Sequence, residues 1–125
     1  RIYWYTIEFG LVREDDKLKV LGAGIVSSAG ETVYAIEDQS VLRLPFDPLR
    51  VMRTAYAIDS FQTNYFVLES LGELIERLVD LDFGPLYERW RSETPLPAGE
   101  LQLGETPWVW PNRQCALELP RSTRI

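Results

Sequence analysis

The apolar positions of this chain come in short blocks separated by polar, glycine-bearing or proline-bearing breaks. Residues 2–12, IYWYTIEFGLV, are almost wholly apolar apart from Thr6 and Glu8. Trp4, Glu8 and Leu11 stand at i, i+4 and i+7 and share a face in a helix. The aromatic and β-branched content suits a strand equally, so the local pattern leaves helix and strand open. Residues 13–17, REDDK, read as a polar turn, and Leu18–Leu21 as a short strand. At Gly22-Ala23-Gly24 the backbone can bend sharply or approach a neighbour closely. Ser28 and Glu31 have the S-x-x-E spacing of a capping box, which predicts a helix over about 29–36.

A loop over 37–48 ends in Pro45-Phe46-Asp47-Pro48, and Pro48 suits the first turn of a short helix over 48–53. Ala55–Ile58 and Tyr65–Leu68, joined through DSFQ, predict two short strands forming a hairpin or strand pair. Ser70 and Glu73 repeat the capping spacing. The helix they start carries Leu71, Leu74, Ile75 and Leu78 on one face and ends near Asp80. Beyond Phe83, GPLYERW adds one or two helical turns. Residues 92–125 hold five of the eight prolines and read as an irregular tail partly pinned by Trp108 and Trp110. Residues 1–91 thus form the folded part, with no internal repeat and no low-complexity segment.

The 125 residues suffice for one small domain, and 46% hydrophobic with 26% charged residues is ordinary for a globular protein. A net charge of -6 argues against nonspecific binding to nucleic acid or to an anionic membrane. No apolar run is long enough to span a bilayer, and the opening stretch lacks the basic region and cleavage site of a secretory signal. The single cysteine, Cys115, permits no internal disulfide and fits a reducing cytoplasm. The chain opens at Arg1, directly in a structural element, so the expectation is a piece cut from a longer polypeptide.

Among the chemistry-bearing residues Glu8 stands out as an acid inside an aromatic stretch. A carboxylate buried there needs a cation, a metal or hydrogen-bond donors. On spacing alone the simpler reading is a helix with one solvent-facing acid.

Three blocks weigh against that simpler reading. RIYWYTIEFGLVRE, then LKVLGAGIVSSAGETVYAI, then MRTAYAIDSFQTNYFVLES resemble, in order and in register over roughly residues 1–90, the biopterin-dependent aromatic amino acid hydroxylases, bacterial phenylalanine 4-monooxygenases above all. The resemblance implies the C-terminal part of an α+β, mainly helical catalytic domain, with helices and short strands around a cleft. It also implies an Fe(II) held by two histidines and one glutamate, and a tetrahydropterin cofactor. Glu8 matches the glutamate ligand. A two-histidine, one-carboxylate face leaves open positions on the metal, and the carboxylate offsets part of its charge. Tyr3 matches a pterin-site tyrosine and Trp4 a tryptophan near the amino acid ring. Gly24 and Ser27 match positions beside substrate and iron, Ser27 supporting a histidine ligand. Without the resemblance Ser27 reads as a turn serine. Glu31 reads as a capping residue, and Arg53, Tyr56 and Phe61 as scaffold.

The family's two histidines lie in an upstream H-x4-H motif, and this chain has no histidine. One carboxylate cannot hold Fe(II) in a defined geometry. The expectation is therefore a fragment that is inactive and iron-free alone, from an enzyme that uses O₂ to hydroxylate phenylalanine. Tyrosine and tryptophan hydroxylases share the same blocks. Aromatic surface left bare at Tyr3 and Trp4 predicts self-association or a complementary N-terminal fragment. The competing reading is a non-catalytic, histidine-free module that binds an aromatic ligand or mediates association.

Overall fold

A computed structural model describes residues 1–109 of the chain. The opening block resolves into both of its alternatives in turn. Residues 2–8 are helical, with a π-helical turn at Trp4–Glu8. Strand β1 (Leu11–Glu14) follows at once. Thr6 Oγ1 bonds back to the Ile2 carbonyl at 2.5 Å, a contact that tends to bend helices. The Phe9 N–H reaches the Trp4 carbonyl five residues back at 2.7 Å, the wide spacing that defines the π turn.

Strand β2 (Lys17–Val20) returns antiparallel to β1, Leu11 opposite Val20 and Glu14 opposite Lys17. The turn between them is Asp15-Asp16, both at positive φ (53° and 59°), as a two-residue hairpin with the strands' own twist requires. Helix α1 (Ala23–Val26) is one turn in the glycine segment, and α2 (Ala29–Glu37) begins at Ser28, whose side chain accepts the Glu31 N–H. Strand β3 (Leu42–Pro45), helix α3 (Pro48–Arg53), strand β4 (Asn64–Leu68), helix α4 (Leu71–Val79) and helix α5 (Phe83–Ser92) complete the order. The sheet runs β2-β1-β4-β3, with β4 parallel to both β1 and β3.

Alternation along the strands sorts the core onto two faces. Val12, Leu44, Phe66 and Leu68 pack with Tyr5, Val51 and Leu74 under the π turn, α3 and α4. Leu11, Leu18, Tyr65 and Val67 pack with Ile25 and Ala35 under α1 and α2. All five residues of β4 are buried, as expected of a parallel strand covered on both sides.

The fold is mixed α/β, with helices packed on both faces of a four-strand sheet. Several expectations are corrected. Residues 55–58 form no strand and no hairpin with β4. Their backbone is used differently: the Ala55 carbonyl accepts the Tyr5 hydroxyl, the Ala55 N–H goes to Leu96, and the Ala57 carbonyl takes the Gln62 side chain. β3 lies in what reads as a loop. Its Pro45 ends an edge strand, the place where a missing N–H is tolerated. Helix α5 is longer than one or two turns, because Asp82 caps it by accepting the Gly84 N–H.

Residues 93–109 are irregular but anchored. Buried Arg50 binds the Glu105 carboxylate at 2.9 Å, the Glu100 carbonyl at 2.8 Å and Thr54 Oγ1 at 2.7 Å. Arg53 binds the Thr94 carbonyl and Glu93, which gives it the scaffold role expected of it. Trp108 packs on the core beneath α1 and α2 and donates its N–H to the Arg43 carbonyl. Trp90 instead meets Tyr87 on α5, and Trp110 lies outside the described residues. Among the described residues no helix is long and apolar enough to cross a membrane.

Candidate active site

The π turn and the glycine segment meet at Glu8. A Cβ on Gly22 would stand 2.6 Å from the Glu8 carbonyl carbon and 2.7 Å from the Gly10 nitrogen. One on Gly24 would stand 2.7 Å from Phe9 Cζ and 3.0 Å from Glu8 Oε1. Only glycine permits this backbone approach, so the G-A-G run lets the two segments close on each other and seats the Glu8 carboxylate against Gly24. The Leu21 and Gly22 N–H groups both donate to the Gly10 carbonyl at 3.0 Å, which holds the junction.

Glu8 is half-buried, and among the described residues no cation or hydrogen-bond donor reaches its carboxylate. Ser27, at the end of α1, donates its hydroxyl to the Gly24 carbonyl at 3.0 Å, leaving its oxygen lone pairs to accept. Gly24 therefore touches both Glu8 and Ser27.

Trp4 is held in a stack of three rings: Tyr56 at 4.5 Å and 27° and Phe9 at 4.6 Å and 38° between centroids. Its indole N–H donates to Gln62 Oε1 at 3.3 Å. Tyr3, in the first turn, is 64% exposed and stands apart from this stack. Sequence reasoning missed Phe9 and Gln62 as parts of the site and left Tyr56 as scaffold. The adjacency of Phe9 to Glu8 was a usable signal; nothing local marked Gln62.

Glu31 does not close the capping box. Its Oε1 accepts from the Gln62 N–H at 3.1 Å and the Tyr65 hydroxyl at 2.7 Å, so it is structural, as expected, but as a buried bridge from α2 to β4. Burial, then the bond to Glu31, push the Tyr65 phenol far above its ordinary range. Burial does the same to Tyr5, whose hydroxyl is tied to Ala55.

Comparison with known proteins supplies the lineage. The sequence profile of the biopterin-dependent aromatic amino acid hydroxylases matches residues 1–83. The chain belongs to that family. Phenylalanine-4-hydroxylase of Ralstonia nicotianae is 47% identical over 105 residues, covering 84% of this chain and 33% of the relative. That of Caulobacter vibrioides is 45% identical over 105 residues, covering 84% and 35%. The solved Chromobacterium violaceum phenylalanine hydroxylase with bound Fe(III) superimposes with a TM-score of 0.81 at 39% identity, covering 86% of this chain and 39% of that one. The same enzyme has been solved bound to cobalt. This hydroxylase-family chain thus spans about a third of the length of the curated relatives it matches.

The donor set is consistent with one corner of a metal site and no more. Among the described residues no three His, Cys, Asp or Glu side chains lie together as a cage.

Proposed function

We propose that this chain is the C-terminal part of the catalytic domain of an Fe(II)- and tetrahydropterin-dependent monooxygenase that hydroxylates the ring of phenylalanine. Glu8 is the carboxylate ligand, and two histidines from an upstream segment complete the set. The observation that carries the reading is the Glu8 carboxylate itself, half-buried and unpartnered among the described residues, presented by a π turn against Gly24. Irregular helical turns of this kind are frequent at functional sites.

The bound iron and reduced pterin together supply the O₂ chemistry. This chain's residues orient and enclose. Glu8 offers one negative oxygen to the metal. Ser27 keeps an acceptor free for an imidazole N–H, which would fix that ring's orientation. Trp4 and Gly24 wall the place of the amino acid ring, and Tyr3 lines the pterin side. Tyr3 and Ile7 on the opening helix and Tyr56, stacked on Trp4, are exposed apolar residues that together supply a rim. We assign this rim to contact with the histidine-bearing segment, which closes the cleft and excludes water; without that segment it drives self-association. The enzyme works in the cytoplasm, where Cys115 stays reduced.

The test is Glu8→Ala in the intact enzyme. Iron content measured by plasma emission should fall to background and hydroxylation should vanish, with the circular dichroism spectrum retained. Wild-type iron content in that variant would remove Glu8 from the metal and leave the non-catalytic module as the surviving alternative.

A further inference from the structure

Trp4 is held by more than its stacking partners. Ring stacking sets the spacing and tilt of aromatic planes but defines in-plane rotation weakly, because the attraction is spread over the ring face. The edge of the indole is fixed separately. Gln62, 2% exposed, accepts the Trp4 Nε1–H on its Oε1 at 3.3 Å and donates its Nε2–H to the Ala57 carbonyl at 2.6 Å. An indole N–H can only donate and a backbone carbonyl can only accept, so the amide has a single orientation that serves both. The Gln62 backbone is itself tied down, since its N–H goes to the buried Glu31 carboxylate at 3.1 Å. Ala57, at the other end of the amide, directly follows Tyr56, the ring stacked on Trp4. One buried side chain therefore joins the edge of the indole to the segment carrying its stacking partner.

We propose that Gln62 is a positioning residue: it sets the rotation of the Trp4 ring and, through it, the fit of the aromatic amino acid, with Glu31 holding Gln62 in place. This rests on the reading of Trp4 as a wall of the substrate site. The residue does not touch the reacting atoms, and its effect falls on one substrate only.

The experiment uses the intact enzyme with Gln62→Met, which keeps side-chain length and removes both hydrogen bonds. The KM for the aromatic amino acid rises roughly five- to tenfold, the scale of one lost buried hydrogen bond. The KM for the tetrahydropterin and the iron content stay at wild-type values. In a Trp4→Phe background, where the ring has no N–H, the same substitution changes the amino acid KM by less than about twofold, because the two residues act as one unit. An equal rise in both KM values, or an undiminished effect in the Trp4→Phe background, overturns the proposal. Trp4→Phe alone is the control for the reading beneath it: an unchanged amino acid KM would show that Trp4 is no substrate wall, a failure separate from that of Gln62.

Gln62→Glu gives an independent answer should the methionine variant fail to fold. The ionised side chain sets an oxygen against the Ala57 carbonyl, whereas its protonated form can donate there and still accept from Trp4. Relative to wild type, its amino acid KM therefore climbs with pH through the titration of the introduced carboxyl, which burial raises. A ratio that is flat with pH overturns the proposal.

Discussion

Removing one hydroxyl from the centre of the fold tests the buried bridge between α2 and β4. Tyr65→Phe deletes the donor at 2.7 Å from Glu31 Oε1 and leaves the ring, which is fully buried, in place. No cavity larger than an oxygen atom results, so the loss is that of a hydrogen bond to a charged group, about 1.5–3 kcal/mol. Glu31 retains only the Gln62 N–H. At roughly 4 °C per kcal/mol, the value between the small- and large-domain ranges, the midpoint falls by about 6–12 °C. Glu31→Ala strands two buried donors and costs more, about 3–5 kcal/mol. Glu31→Gln keeps a carbonyl acceptor and costs less than either. Urea unfolding followed by circular dichroism ranks the three as Glu31→Ala, Tyr65→Phe, Glu31→Gln in decreasing loss. A Tyr65→Phe stability within about 0.5 kcal/mol of wild type, the usual range for uninvolved positions, would refute the claim that the bridge joins the layers.

Three other outcomes are expected. Tyr5 and Tyr65 hold their protons more tightly folded than unfolded, so stability is complete below about pH 10 and is lost above it, at about 1.4 kcal/mol per pH unit for each; replacing either by Phe should lower the alkaline slope in urea titrations by that one share, Tyr34 and Lys19 contributing to what remains, and an unchanged slope contradicts the assignment. Gly22→Ala forces a methyl to 2.6 Å from the Glu8 carbonyl carbon, with only backbone to yield, and should cost about 1–3 kcal/mol and lower iron occupancy in the intact enzyme; normal metal content and stability would mean that the close approach is not required. Arg50→Met strands the Glu105 carboxylate and the Glu100 carbonyl and should cost about 2–4 kcal/mol, with limited proteolysis faster over 96–105; an unchanged cleavage rate there would show that the segment is held by something else.

Much of the site was legible because its chemistry is local. Trp4 through Phe9 are consecutive, and the glycines that must sit against them announce themselves by lacking a side chain. The capping serines at 28 and 70 were legible for the same reason, since the acceptor and the N–H it serves are three residues apart. Gln62 was not legible. Its partners are Trp4, Ala57 and Glu31, two of them tens of residues away, and its type and surroundings resemble those of any loop glutamine. Glu31 misled in its detail, because its capping-box spacing fits a local bond that the side chain forgoes for Tyr65 and Gln62.

The same division holds for the fold. Capping spacing and Pro48 marked where helices α2, α3 and α4 begin, because a helix satisfies its backbone within itself and needs only a cap to start; of the apolar face read on α4, Leu74 is buried and Leu78 partly so, whereas Leu71 and Ile75 stay exposed. Strands satisfy theirs on a neighbour. The sequence held the strand-forming residues, but only the assembled sheet decided that β4 pairs in parallel with β1 and β3 rather than in a hairpin with residues 55–58. It also decided that Leu42–Pro45 is an edge strand. The π turn belongs to the tertiary structure as well: the Thr6 back-bond and the glycine segment pressed on Glu8 together place the carboxylate, and neither can be read from one window of the chain.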